Sequence, residues 1–401
     1  MPNPGGTPKA VDIYDTTLRD GAQLEGISFT VDDKLRIAEQ LDRLGVHYIE
    51  GGWPGANPKD VEFFERAKTE LNLKQSRLVA FGSTRRVNGE AKDDPTLANL
   101  VASGTQTVCI VGKSWDYHVT EALRTTLEEG VAMVADSIRY LKEQGLEVFF
   151  DAEHFFDGYR ANPTFALDVL QGAADAGADC LVICDTNGGT LPDEVERTVT
   201  EVVAKFSTPI GVHFHNDTGC AIANTMIGVK AGATQVQGTI NGYGERVGNC
   251  DLIPVIANLS LKLGIETLPE GHLKEITSVA HHVAEVANFA ADPQQPYAGS
   301  TAFAHKAGLH TSAIARRPDA YEHIDPNLVG NGTRFLVSEM AGRATIALRA
   351  EQLGLNLETE VLGEVVETLK DLEYRGYHFE AADASLELLM RAAGGWEQEF
   401  F

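Results

Sequence analysis

Positive charge is scarce in this sequence beside negative charge. Its 33 Lys and Arg stand against 58 Asp and Glu, a formal net charge of −25 with histidine neutral. The longest cationic runs are the pairs Arg85-Arg86 and Arg316-Arg317. A surface without clustered cations cannot displace the counterions of a phosphate backbone, which argues against nucleic acid as a partner. Long apolar runs are also missing. No stretch approaches the roughly 20 residues that a membrane helix needs, and the opening Met1 to Lys9 has no apolar core of a signal peptide. Residues 1–10 therefore read as a disordered N-terminus, and the chain as a cytoplasmic protein with no membrane partner. Cysteine is sparse: Cys109, Cys180, Cys184, Cys220 and Cys250 are odd in number and scattered, which argues against a disulfide framework. Cys180 and Cys184 share one apolar run and read as buried strand thiols rather than metal ligands. At 43% hydrophobic and 23% charged, the composition is that of a globular chain with a large core, and its acidity reads as a soluble, self-repelling surface.

From residue 11 onward, short β-branched runs alternate with stretches of helical period, the pattern of a parallel sheet with helical crossovers. Strands are expected at 11–17, 47–52, 77–82, 106–111, 147–154, 180–186, 210–216 and 235–241. Helices are expected at 31–44, 59–70, 94–103, 120–144, 163–176, 193–205, 219–231 and 251–263. Leu44-Gly45, Ala176-Gly177 and Ala231-Gly232 carry the glycine that ends a helix. Eight strand-helix units over 11–265 match a closed (β/α)8 TIM barrel better than an open doubly wound sheet, which usually stops at about five to seven strands. After 265 the rhythm changes. A helix at 271–290, a Pro, Gly and Ala-rich loop at 292–302 and helical segments at 335–350, 357–371 and 381–392 make 266–401 a linker and a small, mainly helical region.

In such a barrel the chemistry sits at the C-terminal strand ends. There the sequence places Asp15-Thr-Thr-Leu-Arg19-Asp20-Gly21-Ala-Gln23, Asp151-Ala-Glu153-His154, Asp185-Thr186-Asn187-Gly188-Gly189 and His213-Phe-His215-Asn216-Asp217. His213 and His215 are two apart on an expected strand, so both imidazoles share one face at neighbouring heights. With an aspartate from another strand they fit a divalent Lewis-acid site; the plainer alternative is a pair of hydrogen-bonded core histidines. Asp151 and Glu153 share the same logic, and an inward carboxylate is expensive to bury unless paired, ligated or used. Glu153 is accordingly a general-base candidate or the partner of an arginine. Arg19 is either a donor to a developing oxyanion or one half of a salt bridge. The block Asn241-Gly-Tyr-Gly-Glu-Arg-Val-Gly-Asn249 does not match a dinucleotide fingerprint and reads as a tight rim loop.

These blocks, in this order, resemble the acyl-CoA-dependent Claisen condensing members of the DRE-TIM metallolyase superfamily: the 2-isopropylmalate, homocitrate and citramalate synthases. The likeness runs from residue 11 to 390. It is strongest to the citramalate synthase group that resembles isopropylmalate synthases, through Glu50-Gly-Gly-Trp-Pro-Gly-Ala-Asn-Pro-Lys-Asp60, Phe150-Asp-Ala-Glu-His-Phe-Phe-Asp-Gly-Tyr159 and Cys184-Asp-Thr-Asn-Gly-Gly-Thr190. The resemblance implies that Asp20, His213 and His215 bind a divalent metal with Asn249 nearby, Mg or Mn foremost, with Zn or Co also compatible. It implies that Arg19 stabilises an alkoxide, that Thr186 binds the carboxylate of a 2-oxo acid, and that Glu153 and His310 share acid and base work on acetyl-CoA. Tyr321 is a weaker match to a tyrosine of the acetyl-CoA region. Trp53, bulky and near the mouth, is expected to favour pyruvate over larger 2-oxo acids. Such synthases resemble domain-exchanged homodimers, so His310 serves either its own subunit or its neighbour. They generally carry a further C-terminal regulatory domain, and this sequence stops at Phe401 before one: either it is a piece of a longer protein or the protein lacks feedback control, and the expectation is that isoleucine and leucine do not inhibit this chain. The competing functions are isopropylmalate synthase, another 2-oxo acid condensing synthase, an acyl-CoA lyase, and a non-catalytic binding protein. A biotin carboxyltransferase is disfavoured, because no segment resembles Ala-Met-Lys-Met.

Overall fold

The computed structural model describes residues 6–306, 313–314, 317–338, 340–380 and 382–396. Eight parallel strands close into a barrel: β1 (Asp12–Asp15), β2 (Tyr48–Gly52), β3 (Arg77–Ser83), β4 (Thr107–Lys113), β5 (Glu147–Glu153), β6 (Cys180–Asp185), β7 (Ile210–Phe214) and β8 (Gln235–Gly238). Closure is made by β8 on β1, with Asp12 opposite Gln235 and Asp15 opposite Gly238. Inward side chains of alternate strand positions, among them Tyr14, Tyr48, Phe81, Cys109, Phe149 and Cys184, fill the interior. The five cysteines are free thiols, and Cys180 and Cys184 are buried in β6 as expected.

Local chemistry explains where the crossover helices start and stop. In α1 (Val31–Leu44), Thr30 and Asp33 form a reciprocal capping box, buried Leu35, Ile37, Ala38 and Leu41 form the apolar stripe, and Gly45 ends the helix at φ 91°. The remaining crossovers are α2 (Pro58–Glu70), α3 (Pro95–Ala102), α4 (Leu127–Glu143), α5 (Phe155–Ala161), α6 (Pro163–Asp175), α7 (Pro192–Lys205), α8 (Ala221–Lys230), α9 (Leu252–Leu263) and α10 (Ile276–Val286).

Several boundaries differ from the sequence expectation. The helix expected over 120–144 is split into a π-helical turn at His118–Ala122 and α4, because Arg124 takes a left-handed backbone and Thr126 caps the new start. The fifth strand stops at Glu153, one residue short of its expected end, and α5 occupies the stretch after His154 where no element was expected. This helix turns Phe155 and Phe156 into the core, and its Gly158 lies so close to the Ser114 carbonyl that no Cβ fits. The seventh strand ends at Phe214, leaving His215 one residue beyond it in an isolated bridge with Asn249. Ala10, expected in a disordered tail, bridges to Glu266.

The chain divides into compact units at residues 1–291 and 292–401. The sequence rhythm changes earlier, at 265, but α10 packs on α1 and belongs with the barrel. The second unit has its own core, built from Val337, Ile346, Val365, Leu369, Leu386 and Met390 on helices 343–352, 359–374 and 383–393 and the segment before them. Part of the helix expected at 335–350 is instead a short parallel ladder of Arg334–Phe335 with Ala304–His305.

Candidate active site

The turn after β1 is built by its own side chains. The Asp15 carboxylate accepts from the Thr17 backbone N–H and hydroxyl at 2.9 and 2.8 Å, the Thr16 N–H donates to the Gly238 carbonyl at 2.8 Å, and the Ile240 N–H donates to the Thr17 hydroxyl at 2.9 Å. The first two threonines of the motif thus sew β1 to the end of β8, and the chain rises to put Arg19 and Asp20 at the mouth. Burial pushes the Asp15 carboxyl up to about 7.

Arg19 is fixed on several sides. Its Nε donates to Glu50 Oε1 at 2.5 Å, its guanidinium lies 3.9 Å from the centre of the Phe81 ring, and Nη1 is 3.4 Å from Asp20 Oδ2. The other Glu50 oxygen accepts from the Tyr14 hydroxyl at 2.6 Å. Burial holds the Glu50 carboxyl above the usual carboxylate range in spite of Arg19. The salt-bridge alternative for Arg19 is thus present, and the bridge fixes where the guanidinium points.

Asp20, His213 and His215 converge. Asp20 Oδ2 lies 3.5 Å from His213 Nε2 and 3.9 Å from His215 Nε2, and all three residues are buried. Burial raises the Asp20 carboxyl, but the neighbouring Arg19, His213 and His215 outweigh it and hold the group below its ordinary value. Burial pushes His215 down to about 4, which leaves its imidazole neutral. His213 Nδ1 meets Gln237 Oε1 at 3.0 Å. Asn249 reaches Asp20 and donates to the Tyr243 carbonyl at 3.2 Å. Two buried atoms here, His215 Nδ1 and Asn249 Oδ1, have no hydrogen-bond partner. One carboxylate and two imidazoles offering atoms within 4.8 Å of one another, with orphaned donor atoms beside them, form a set that fits a divalent cation.

Thr186, Glu153 and Trp53 belong to strand ends of the same barrel. Thr186, just past β6, accepts the His154 N–H on its hydroxyl at 2.9 Å, while Arg246 holds its carbonyl at 2.8 Å and grips both oxygens of Asp217. His154 itself sits at φ 56°, a left-handed backbone that is uncommon outside glycine. Glu153 ends β5 and pairs with Lys113 at the end of β4, directly opposite it in the ladder. The cation beside Glu153 is a lysine, where the sequence offered an arginine as the alternative. Trp53 donates its backbone N–H to Asp60 Oδ2 at 3.0 Å and packs edge-on against Phe81, 5.5 Å between centres. With Arg19, Gln23 and Phe29 it lines a cavity of about 580 Å³. Tyr321 lies in the second unit and is half exposed, and His310 falls outside the described residues. Glu50, Lys113, Gln237 and Arg246 were not singled out from the sequence. Glu50 and Arg246 stood inside quoted motifs, whereas Gln237 carries no signal beyond its place on a strand.

The chain matches the HMGL-like family over residues 10–283 and the homocitrate synthase post-HMGL domain-like family over 298–376. It is 57% identical to the (R)-citramalate synthase of Streptomyces coelicolor over 95% of this chain and 72% of that protein. It is 50% identical to the (R)-citramalate synthase of Aquifex aeolicus over 98% and 74%. Among solved structures, HMG-CoA lyase from Brucella melitensis shares the fold at a TM-score of 0.59 and 19% identity, over 70% of this chain and 99% of that one.

Proposed function

The chain belongs to the HMGL-like family and, within it, to the (R)-citramalate synthases, and from that premise we propose that it condenses acetyl-CoA with pyruvate to (R)-citramalate, in isoleucine biosynthesis. The observation that carries the proposal is the convergence of Arg19 with Asp20, His213 and His215 at one barrel mouth. A divalent cation held by Asp20, His213 and His215, with Asn249 in reach, supplies the Lewis acid that polarises the 2-oxo group; Mg or Mn leads, and Zn or Co suits the same donors. Arg19, aimed by Glu50 and Phe81, donates to the oxygen on which negative charge develops.

The Thr186 hydroxyl accepts from His154, so its own proton is left to donate to the acceptor's carboxylate. Glu153 and His310 share the proton traffic: one proton leaves the acetyl methyl carbon, that carbon bonds to the keto carbon, and a proton reaches the new alkoxide. Water then cleaves the thioester and releases CoA. Trp53 fills the space that a longer 2-oxo acid would need, and Tyr321 serves the acetyl-CoA side. We take the working form to be a cytoplasmic homodimer.

Following CoA release with a thiol reagent tests the reading, with acetyl-CoA, Mg or Mn, and each of pyruvate, 2-oxoisovalerate and 2-oxoglutarate. Release that needs both metal and pyruvate is expected. Preference for a larger acid would make the protein a different condensing synthase, and silence from folded, metal-loaded protein would overturn the proposal.

A further inference from the structure

We propose that Gln237 is a positioning residue that keeps the proton of His213 on Nδ1, and that Asp151 fixes Gln237 in turn, so that the His213 Nε2 lone pair is kept for a cation shared with Asp20. This rests on the reading of Asp20, His213 and His215 as the cation site.

All three members of the chain are buried, on β5, β7 and β8. His213 and Gln237 are register partners on neighbouring strands. Gln237 Nε2 donates to Asp151 Oδ1 at 3.0 Å, and Gln237 Oε1 faces His213 Nδ1 at 3.0 Å. The direction of the chain follows from what each end is able to offer. Asp151 is arranged as an acceptor: burial raises its carboxyl, but the Cys109 thiol and the Gln237 amide both donate to it and favour its charged form. The amide must therefore turn its NH2 to Asp151. Flipping it would press carbonyl oxygen against carboxylate oxygen in a site closed to water, leaving both without a donor. With the NH2 committed, the carbonyl oxygen faces His213, and a carbonyl only accepts. Nδ1 must then carry a proton, which leaves Nε2, the nitrogen 3.5 Å from Asp20, as the atom available to a cation. The opposite tautomer would aim an N–H where the cation belongs. Ligating histidines are commonly held this way by a partner on the second nitrogen. Here that partner is a neutral amide whose own orientation is set from across the barrel.

Two measurements test the chain. In metal-free wild-type protein with 15N-labelled histidine, the His213 signals, assigned by their loss in His213→Asn, should show Nδ1 protonated. The reverse pattern overturns the proposal, whatever any variant does. In Gln237→Leu, Mn2+ binding followed by electron paramagnetic resonance should weaken about 10- to 100-fold against wild type, with circular dichroism unchanged. Wild-type affinity in the folded variant overturns the proposal. If Gln237→Leu does not fold, the wild-type tautomer decides. Wild-type protein that binds no Mn2+ would overturn the cation site itself, and the tautomer would still judge the hydrogen-bond chain.

Discussion

Arg19 and Trp53 meet through Phe81: the guanidinium lies over the ring and the indole stands against it edge-on. A change at Trp53 therefore enlarges the cavity and also loosens the surface on which Arg19 rests. Trp53→Ala should shift the ratio of kcat/KM for pyruvate over 2-oxoisovalerate toward the larger acid by about 10- to 100-fold, with some loss of kcat on both. An unchanged ratio would remove Trp53 from substrate selection. Asp15 makes a separate prediction. Its folded carboxyl is raised by burial to about 7 from 3.8, so the folded state holds the proton more tightly than the unfolded one. The stability this lends is complete below about pH 4, drains away as pH rises toward 7, and is gone above. Asn fits the two Thr17 hydrogen bonds, one as acceptor and one as donor. Asp15→Asn should therefore match wild type near pH 4 and gain thermal stability progressively up to pH 7, with a constant advantage beyond. A gain independent of pH would show that Asp15 titrates as it does in water.

At the scale of elements, the junction of β5 and α5 carries the most constraint. His154 occupies it at φ 56° while its N–H holds Thr186. Asparagine tolerates that conformation and a β-branched residue does not. His154→Val should cost about 1–2 kcal/mol more than His154→Asn, read as a lower Tm, and should also raise KM for pyruvate as Thr186 drifts. Equal melting of the two variants would mean that the junction relaxes freely. The same junction marks where the sequence stops being legible. The eight strands and most helix starts follow from apolar period, Pro at the first turn and Gly after the last, and α1 lies where its period places it. α5 does not, since Phe155 and Phe156 continue an apolar strand pattern and only contact with Ser114 and the neighbouring crossovers turns them into a helix. The split before α4 depends on one left-handed arginine, Arg124, which no period announces. For the site, charged residues in strand-end motifs were legible because burying them needs a reason. Gln237 was not, because a neutral amide on a strand resembles any other polar residue until its partners on β5 and β7 are in place.

At the scale of the whole barrel, a cation held by Asp20, His213 and His215 as proposed would join segments that lie far apart in the chain, and its removal should be felt as stability. Mn2+ at a hundredfold excess over its Kd should stabilise the protein by about 2.7 kcal/mol. That corresponds to a rise of a few degrees in Tm, absent in His213→Ala. A Tm indifferent to Mn2+ in wild type would contradict a structural share for the ion. The seam between β1 and β8 has a consequence for how the protein comes into being. The Thr16 hydroxyl and the Gly238 carbonyl that meet there are separated by 222 residues. A ribosome adding about 5–20 residues per second takes on the order of ten seconds or more to traverse that distance. Throughout that interval β1 is an uncovered edge, able to pair with any other nascent strand. Asp20 waits with it, since its imidazole partners are still being made or are not yet aligned. Metal uptake by a refolding chain should therefore arrive late and abruptly. Its half-time would clock the last strand docking against the first, making the ion a stopwatch for the closing of the ring.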